Sequence, residues 1–596
     1  MPGAAGVGNI ATFVVNVGGS PVPDTMQVYS VHVEKKVNGI SSARIVVLDG
    51  EPDTQDFPAS SSSTFVPGAE VSIEAGYDSQ NKVVFQGIIT GQSIRINDGV
   101  GSMLEVECRD KAVKMIVGRK VLTFSKQKDS DIITSIIGTY GLSSSVTATT
   151  TQWPEQVQYY ATDWDFIMAR AEANGMIVTT LNGKVTVAKP DASTASVLTV
   201  GYGSGLMEFD ADLNSISQLG SATASTWDYT TQQVSSQEAQ ASYTGPGNLS
   251  SKTLSDVIGL STFGLQTPGN IQSGDLTNWA NAQLVKSGYS KITGTAKFQG
   301  TSVVDPATYI TLEGLGARFN GDHFVSAVVH DISDGNWFTE VSVGMSPMWF
   351  TEQPDVMAPP AAGLLPGARG LFTGTVKQMY NDPDSQFRIL VNIPLFDQNG
   401  AGIWARLTNF YSTNGAGAFF LPEVGDEVIL GFLNEDPRYP VILGSVYSSS
   451  KLKPNSELTP NQDNSIKAIV TKSNISMQFN DKDIIFTLKT PAGNEVIVSD
   501  KDKQITIQDQ NSNSIVMSSS GIVIKSSKDI SIEAGQNLSL KGTQGVAVES
   551  SGGDVKVTGI NIKETAQSQY SAEGSLTAQV QAGTQMTIKG AMVMIN

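Results

Sequence analysis

The chain has 596 residues and a formal net charge of −18, with apolar residues making up 40% of it. The length suits about four domains, and the apolar content is enough to build buried cores. Residues 471–596 hold 11 lysines, 12 acidic residues and no arginine, so residues 1–470 carry about −17; so acidic a body argues against nucleic acid and anionic membrane surfaces as partners.

The N-terminus, Met1-Pro2-Gly3-Ala4-Ala5-Gly6, has no basic segment followed by an apolar core, so no signal peptide is expected. No run approaches 18 uninterrupted apolar residues, so no unaided membrane span is expected. Residues 1–345 read mainly as β. Alternating runs include Val71-Ser72-Ile73-Glu74-Ala75, Val83-Val84-Phe85 and Leu104-Glu105-Val106-Glu107-Cys108, with turns at Asn97-Asp98-Gly99 and Leu181-Asn182-Gly183. Cys108, the one cysteine, excludes an intrachain disulfide and sits on the apolar side of its run, as a structural thiol would.

Three helices interrupt the strands. The first is expected to follow Ser130 as N-cap, with Ile132, Ile133, Ile136 and Ile137 on one face before Gly138. The second follows Thr162 with a stripe of Trp164, Ile167, Met168 and Ala171, and Gly175 suits its end. The third spans about Leu276 to Lys286, with Trp279 and Leu284 apolar, and stops at Gly288. Each is most simply a plug on a sheet face.

Pro347, Pro354, Pro359, Pro360 and Pro366 mark a domain boundary. Five strand-like runs follow: Gly374-Thr375-Val376, Phe387 to Ile393, Trp404 to Leu407, Glu427 to Phe432 and Val441 to Val446. Five short strands in about 80 residues suit an OB-type barrel.

After a polar linker, the chain becomes repetitive. Ile522/Ile524, Ile530/Ile532, Leu538/Leu540 and Val546/Val548 recur every eight residues, each pair pointing to one face of a short strand. Ile505/Ile507 and Ile515/Met517 lie upstream, and Val555/Val557, Met586/Ile588 and Val593/Ile595 downstream with looser spacing. Eight residues cannot form a closed coil, and two inward residues per octad cannot fill a core without other strands. An antiparallel meander is disfavoured because hairpin pairs such as Asn-Gly are nearly absent between octads. A single-chain solenoid with three octads per coil stays open beside a stack of three chains.

Residues in the barrel carry a resemblance. Leu421-Pro422-Glu423-Val424-Gly425-Asp426-Glu427-Val428, then Gly431-Phe432, then Asp436-Pro437-Arg438-Tyr439-Pro440-Val441-Ile442-Leu443-Gly444-Ser445-Val446-Tyr447, with Trp404-Ala405-Arg406 ahead, resemble the OB-fold signature of VgrG spike proteins and their phage baseplate counterparts. Phe85-Gln86-Gly87-Ile88, Leu104 to Asp110 and Ala161 to Phe166 resemble phage hub proteins of the late-control class. The resemblance implies a mainly β protein. A hub of two barrel-like β domains with a few helices (1–360) precedes an OB-fold barrel (361–449), a linker (450–474) and an octad-repeat, intertwined three-chain β-helix (475–596).

It also implies a role: a structural, non-enzymatic homotrimeric spike of a contractile injection machine, closer to extracellular contractile injection systems than to common secretion-system spikes. The trimeric hub would adapt a hexameric tube and baseplate to a membrane-puncturing needle. Ile522, Ile524, Ile530, Ile532, Leu538, Leu540, Val546 and Val548 would fill the trimer axis, and Trp404, Pro422, Gly425, Gly431, Pro437, Arg438 and Gly444 shape the barrel. Met592, Met594, Ile595 and Asn596 would form a platform for a PAAR-type tip protein. The product would be made in the cytoplasm and assembled into a phage tail-like baseplate, in a particle that is anchored or released.

Departures from the family narrow this. About two dozen linker residues are too few for a lysozyme domain, and no effector is expected after Asn596. His32, His323 and His330 all lie outside the octads, so no histidine-held iron, and no other metal or cofactor, is expected; the seven-residue step from His323 to His330 is no zinc-helix spacing. Gly201-Tyr202-Gly203-Ser204-Gly205 and Gly314-Leu315-Gly316 complete no phosphate-loop or dinucleotide pattern. The rival readings are a type VI secretion spike carrying non-covalent effectors and a β-helical tail-fibre hydrolase; the latter needs a carboxylate cleft on long loops, which octads lack.

Overall fold

The computed structural model describes residues 10–97, 101–396, 398–448, 451–456 and 458–595. Asp98, Gly99 and Asn596 lie outside them, as do residues 1–9. The chain divides into two units, Met1–Val446 and Tyr447–Asn596.

In the first unit, strict alternation builds one long sheet. Val31 and Val33 of Val28–Lys36, Ala43, Ile45 and Val47 of Ser42–Leu48, and Leu104, Val106 and Cys108 of Gly101–Arg109 all point inward. Register stacks them, with Val31 opposite Ile45 and Ile45 opposite Val106. They share a core with Phe65, Ile73, Phe85, Ile89 and Trp337. Burying side chains of this size stabilises by about 1.5–3 kcal/mol each.

The sheet continues through the pairing of Val28–Lys36 with Gly321–Ser333, and then Tyr309–Glu313 pairs back onto Gly321–Ser333. That second pairing closes a circuit of six strands: Leu198–Tyr202, Gly205–Leu213, Ile292–Gln299, Tyr309–Glu313, Gly321–Ser333 and Asn336–Val343. Its interior holds Val200, Phe298, Ile310, Leu312, Val328 and Val341. Asn182 and Gly183, both at positive φ, make the tight turn between Ile177–Leu181 and Lys184–Ala188.

The helices plug sheet faces as expected, with two changes of detail. The first spans Asp129–Gly138 with Lys128 at its N-cap, and Ser130 lies inside it. The helix has no side-chain cap; Asp129, its first residue, instead accepts from Arg170 (2.8 and 2.9 Å) and Asn174 (2.9 Å), which ties the start of this helix to the next one. The second, Asp163–Ala173, is capped by Thr162, whose hydroxyl accepts from Asp165 N–H at 3.0 Å. Trp164, Ile167, Met168 and Ala171 are buried, and Gly175 takes φ +69° beyond its end.

The third, Ser273–Tyr289, runs through Gly288. That glycine serves close packing: a Cβ there would lie 2.9 Å from the Tyr243 ring. Leu276, Ala280 and Leu284 cover Ala222, Ala224 and Ala239 of the Ser221–Asp228 and Gln233–Gln240 strands. A further helix, Ser251–Ile258, was not anticipated; its hydroxyl N-cap Ser250 and left-handed C-cap Gly259 are the local signals for it.

Phe372–Gln378, Ile389–Asn392, Ile403–Leu407, Glu427–Phe432 and Pro440–Ser445 close a five-stranded barrel around Val376, Ile389, Val391, Ala405, Val428, Leu430 and Ile442. These are the five runs read from the sequence.

The second unit differs from expectation in its first part. Seven strands, Ile466–Val470, Ser476–Asn480, Ile485–Lys489, Glu495–Ser499, Gln504–Gln508, Ser514–Ser518 and Gly521–Lys525, form an antiparallel meander in sequence order. The first lies inside the span read as linker, and the last contains Ile522 and Ile524, paired with Met517 and Ile515. The meander was disfavoured for want of Asn-Gly turns. Its loops are instead mostly four or five residues long and stapled by side chains. Asn480 Oδ1 accepts from the N–H groups of Lys482 and Asp483, both at 3.1 Å. Asp509 Oδ1 accepts from Asn511 and Asn513 N–H at 2.8 and 2.9 Å, and Ser499 Oγ from Asp502 N–H at 3.0 Å.

From residue 526 to 595 no strand pairs within the chain. Extended segments alternate with bends at 527–528, 535–536, 543–544, 567–568, 575–576 and 583–584. These bends keep a common eight-residue phase, so the octad governs backbone as well as sequence.

Candidate functional site

The octad pairs are the most unusual surface of the chain. Ile522, Ile524, Ile530, Ile532, Leu538, Leu540, Val546 and Val548 are each 53–72% exposed. Monomeric proteins rarely expose long contiguous apolar patches. Beyond Lys525 the same segment leaves its backbone N–H and C=O groups without an intrachain ladder, and such groups need partners when covered. Exposed apolar pairs and an unpaired backbone thus coincide over residues 526–595. Met592, Met594 and Ile595 at its end are 79–88% exposed.

The barrel residues are shape-giving. Gly425 sits at φ +95° in the turn before Glu427–Phe432. Its N–H donates to Val376 O at 2.9 Å, Asp426 N–H donates to Glu423 O at 3.0 Å, and buried Pro422 precedes the turn. Asp436-Pro437-Arg438 forms the turn into the last strand: Arg438 Nε and Nη2 donate to the two carboxylate oxygens of buried Asp436 at 3.0 and 2.7 Å. That guanidinium holds the Asp436 carboxyl below its usual range. Trp404 pairs opposite Leu390, Gly431 opposite Val441, and Gly444 opposite Ile429 beside a bulge. A Cβ at Gly444 would meet nothing within 4 Å.

Sequence reasoning passed over three barrel features. Gly374 lies so close to the core that a Cβ would stand 2.5 Å from Val391 Cγ1. Asp382 accepts from Arg388 Nη2 at 2.6 Å and from the N–H groups of Asp384, Gln386 and Arg388 at 2.9–3.1 Å, which presents Phe387 to solvent. Phe410, Tyr411, Phe419 and Phe420 flank a small hairpin, Ser412–Thr413 with Ala416–Gly417, and all are exposed. Aromatics within a Gly- and Asn-rich segment were the available signal.

The candidate chemical groups are occupied structurally. Cys108 is buried and its thiol is pushed up to about 12 by desolvation. His32 pairs with Asp331, His323 Nε2 lies 2.7 Å from Phe319 O, and His330 Nδ1 lies 3.0 Å from Thr339 Oγ1. Gly203 and Gly205 serve the turn between Leu198–Tyr202 and Gly205–Leu213, and Gly314 and Gly316 a turn after Tyr309–Glu313. Among the described residues no group of three His, Cys, Asp or Glu side chains is placed to hold a metal ion, and no helix is long and apolar enough to cross a membrane.

Comparison with known proteins places these features in a family. Residues 7–334 match the family model described as the Alg8 N-terminal domain. Residues 372–447, the barrel, match the type VI secretion system/phage-baseplate injector OB domain. The type VI secretion system spike protein VgrG1b of Pseudomonas aeruginosa is 26% identical over 157 residues, covering 25% of this chain and 21% of that protein. VgrG4b of the same organism is 36% identical over 76 residues, covering 12% and 9%. The chain thus spans about a fifth or less of the length of these curated relatives. Among solved structures, the Escherichia coli c3393 protein, a component of the type VI secretion system, aligns at 12% identity with a TM-score of 0.36, covering 72% of this chain and 99% of that one. The chain belongs to the family of the Alg8 N-terminal domain, carries the phage-baseplate injector OB domain, and is a relative of the VgrG spike proteins.

Proposed function

We propose that this chain is the structural spike of a contractile injection machine, acting as a homotrimer without enzymatic activity. The observation that carries the reading is the coincidence, over residues 526–595, of exposed apolar octad pairs with an unpaired backbone. Two further copies supply what one chain lacks: strands to complete the ladders and side chains to fill the axis. Burying each Ile, Leu or Val is worth about 1.5–3 kcal/mol. A stack in which every edge is paired has no lateral edge to fray, and interleaved chains separate only by breaking many backbone bonds together.

In this reading residues 1–360 form the hub that meets the hexameric tube and baseplate, 361–449 the barrel, 450–465 the lead-in, the 466–525 meander the base of the needle, and 526–595 its three-chain part. The exposed aromatics of the barrel are covered by neighbouring copies. Met592, Met594 and Ile595 form the platform for a PAAR-type tip, and sheath contraction concentrates force on the target membrane through it. The protein is made in the cytoplasm and built into a phage tail-like baseplate. Since both curated relatives are type VI spikes, carriage of non-covalent effectors is the second reading.

The mass of the intact chain in solution tests the central claim. Light scattering or native mass spectrometry should give three copies, and a monomer that keeps a folded, protease-resistant 526–595 segment would overturn it. Turnover of polysaccharide or peptidoglycan, lost on changing one carboxylate, would overturn the non-enzymatic part.

A further inference from the structure

Apolar side chains line up across the meander, as in the row Val496, Ile507, Ile515 and Ile524, and the row stops at Gly521–Lys525, the last strand of the sheet. Among the described residues no strand lies on the far edge of Gly521–Lys525. One backbone edge is therefore open where the row calls for another apolar pair. The chain's own next segment, 529–533, carries such a pair, Ile530/Ile532, yet does not fold back onto that edge. Strand centres in the meander lie at Ala468, Gln478, Thr487, Ile497, Thr506, Val516 and Val523, seven, nine or ten residues apart. From Val523 on, the pair centres recur every eight, at Ser531, Ser539 and Ala547. A fold-back that kept Ile522/Ile524 and Ile530/Ile532 on one face would need Ser526-Ser527-Lys528 as a three-residue loop. Such a loop calls for a left-handed residue, usually glycine, at its third place, where Lys528 stands. Instead, Ser526 Oγ donates to Asn513 Oδ1 at 2.7 Å and Ser527 N–H donates to the same oxygen at 3.3 Å. Asn513 belongs to the loop before Ser514–Ser518, so the chain is tied on the side away from the open edge. Ile530 accordingly borders a cleft with Ile507, Ile515 and Ile524.

We propose that the open edge of Gly521–Lys525 takes residues 529–533 of a second copy, so that each chain leaves its own sheet at Ser526 and continues its neighbour's. The inference rests on the three-chain reading above and adds the point where pairing passes from within one chain to between chains. The match is one of charge as well as of apolar surface. With Val523 opposite Ser531, Ile522 and Ile524 stand against Ile530 and Ile532 whichever way the strands run. Lys525 then meets Asp529 in an antiparallel pair or Glu533 in a parallel one, and opposite charges across strands are favourable. A foreign strand would cover the edge and still leave the octads of this chain without a ladder. A second copy brings both an edge and a segment, so three copies, each giving one and taking one, close a ring with neither left over.

Cross-linking of the full chain tests this, since the native cysteine, Cys108, is buried. Val523 and Ser531 are exposed and alternate with the pair residues, so cysteines there leave the axis untouched. A Val523→Cys/Ser531→Cys chain treated with a short bifunctional thiol reagent should keep its trimeric mass and run as a covalent trimer on a denaturing gel. Single Val523→Cys chains co-expressed with single Ser531→Cys chains should give the mixed 523–531 link, which repeats the test without the double change. Val523→Cys with Ser539→Cys should stay at background. A trimer whose 523–531 link forms only within one chain, running as a monomer on that gel, would overturn the proposal and leave the three-chain reading standing. So would a trimer that links 523 to 539 in its place, or links neither. A monomeric wild-type chain would instead remove the three-chain reading, and this proposal with it.

Discussion

His32 and Asp331 stand opposite each other where strands Val28–Lys36 and Gly321–Ser333 of the long sheet pair, Nδ1 to Oδ1 at 2.6 Å and in direct cross-strand register. The hydrogen bond to Asp331 raises the His32 pKa above its ordinary value, and the imidazole holds the Asp331 carboxyl below its own. Both side chains are more than a third exposed, so solvent screening limits the pair to about 0.5 kcal/mol. The sign follows from linkage: the contribution is complete below the ordinary histidine pKa and fades as pH rises through the raised one. On the acid side it persists until pH falls through the depressed Asp331 value. His32→Ala should lower the melting temperature of the first unit slightly at pH 6 and leave it unchanged at pH 9, read by calorimetry.

His330, one residue from Asp331, has the opposite dependence. It is fully buried, its Nδ1 meets the Thr339 hydroxyl, and its Nε2 has no partner among the described atoms. Desolvation first, then the charge of Lys35, itself paired with Asp305, holds its pKa well below the ordinary value. A neutral buried histidine binds its proton more weakly in the fold, so stability declines as pH falls below about 6.5, by up to about 1.4 kcal/mol per unit. His330→Gln should start less stable at pH 7.5 and show a flatter decline from pH 7 to 5. An equally steep decline would place the acid sensitivity elsewhere, with His323, also lowered by burial, the next group to test.

Gly374→Ala should destabilise the barrel. Its Cβ would stand 2.5 Å from Val391 Cγ1 and 2.8 Å from Leu430 Cδ1, both groups of the closed core. Overpacking of this kind costs about 1–3 kcal/mol, measurable as a lower denaturant midpoint. Gly444→Ala, where the added Cβ meets nothing, serves as the control.

On the proposed three-chain reading, in which the pair residues face a shared axis, Leu538→Asp should block assembly of the three copies. Three charges would be buried together without partners, at several kcal/mol each. Ser539→Asp, on the alternate face of the same segment, should leave the trimeric mass unchanged. Normal assembly of the Leu538→Asp chain would refute the inward placement.

What the sequence alone determined is what neighbouring residues decide among themselves. The Thr162 cap, the isoleucine stripe after Asp129, the Glu427–Phe432 strand and the eight-residue repeat follow from spacing, capping chemistry and alternation, which act over a few residues. Tertiary structure decided what depends on distant contacts. The tight approach of Tyr243 makes Gly288 a packing residue inside a helix. Side-chain staples on Asn480, Ser499 and Asp509 let Ile466–Lys525 fold as a meander without the turn pairs that usually announce one. The pairing of Tyr309–Glu313 onto Gly321–Ser333 closes a barrel that no local pattern foretells. Beyond Lys525 even tertiary structure leaves the octads exposed, because two apolar side chains and one short strand per repeat cannot enclose themselves.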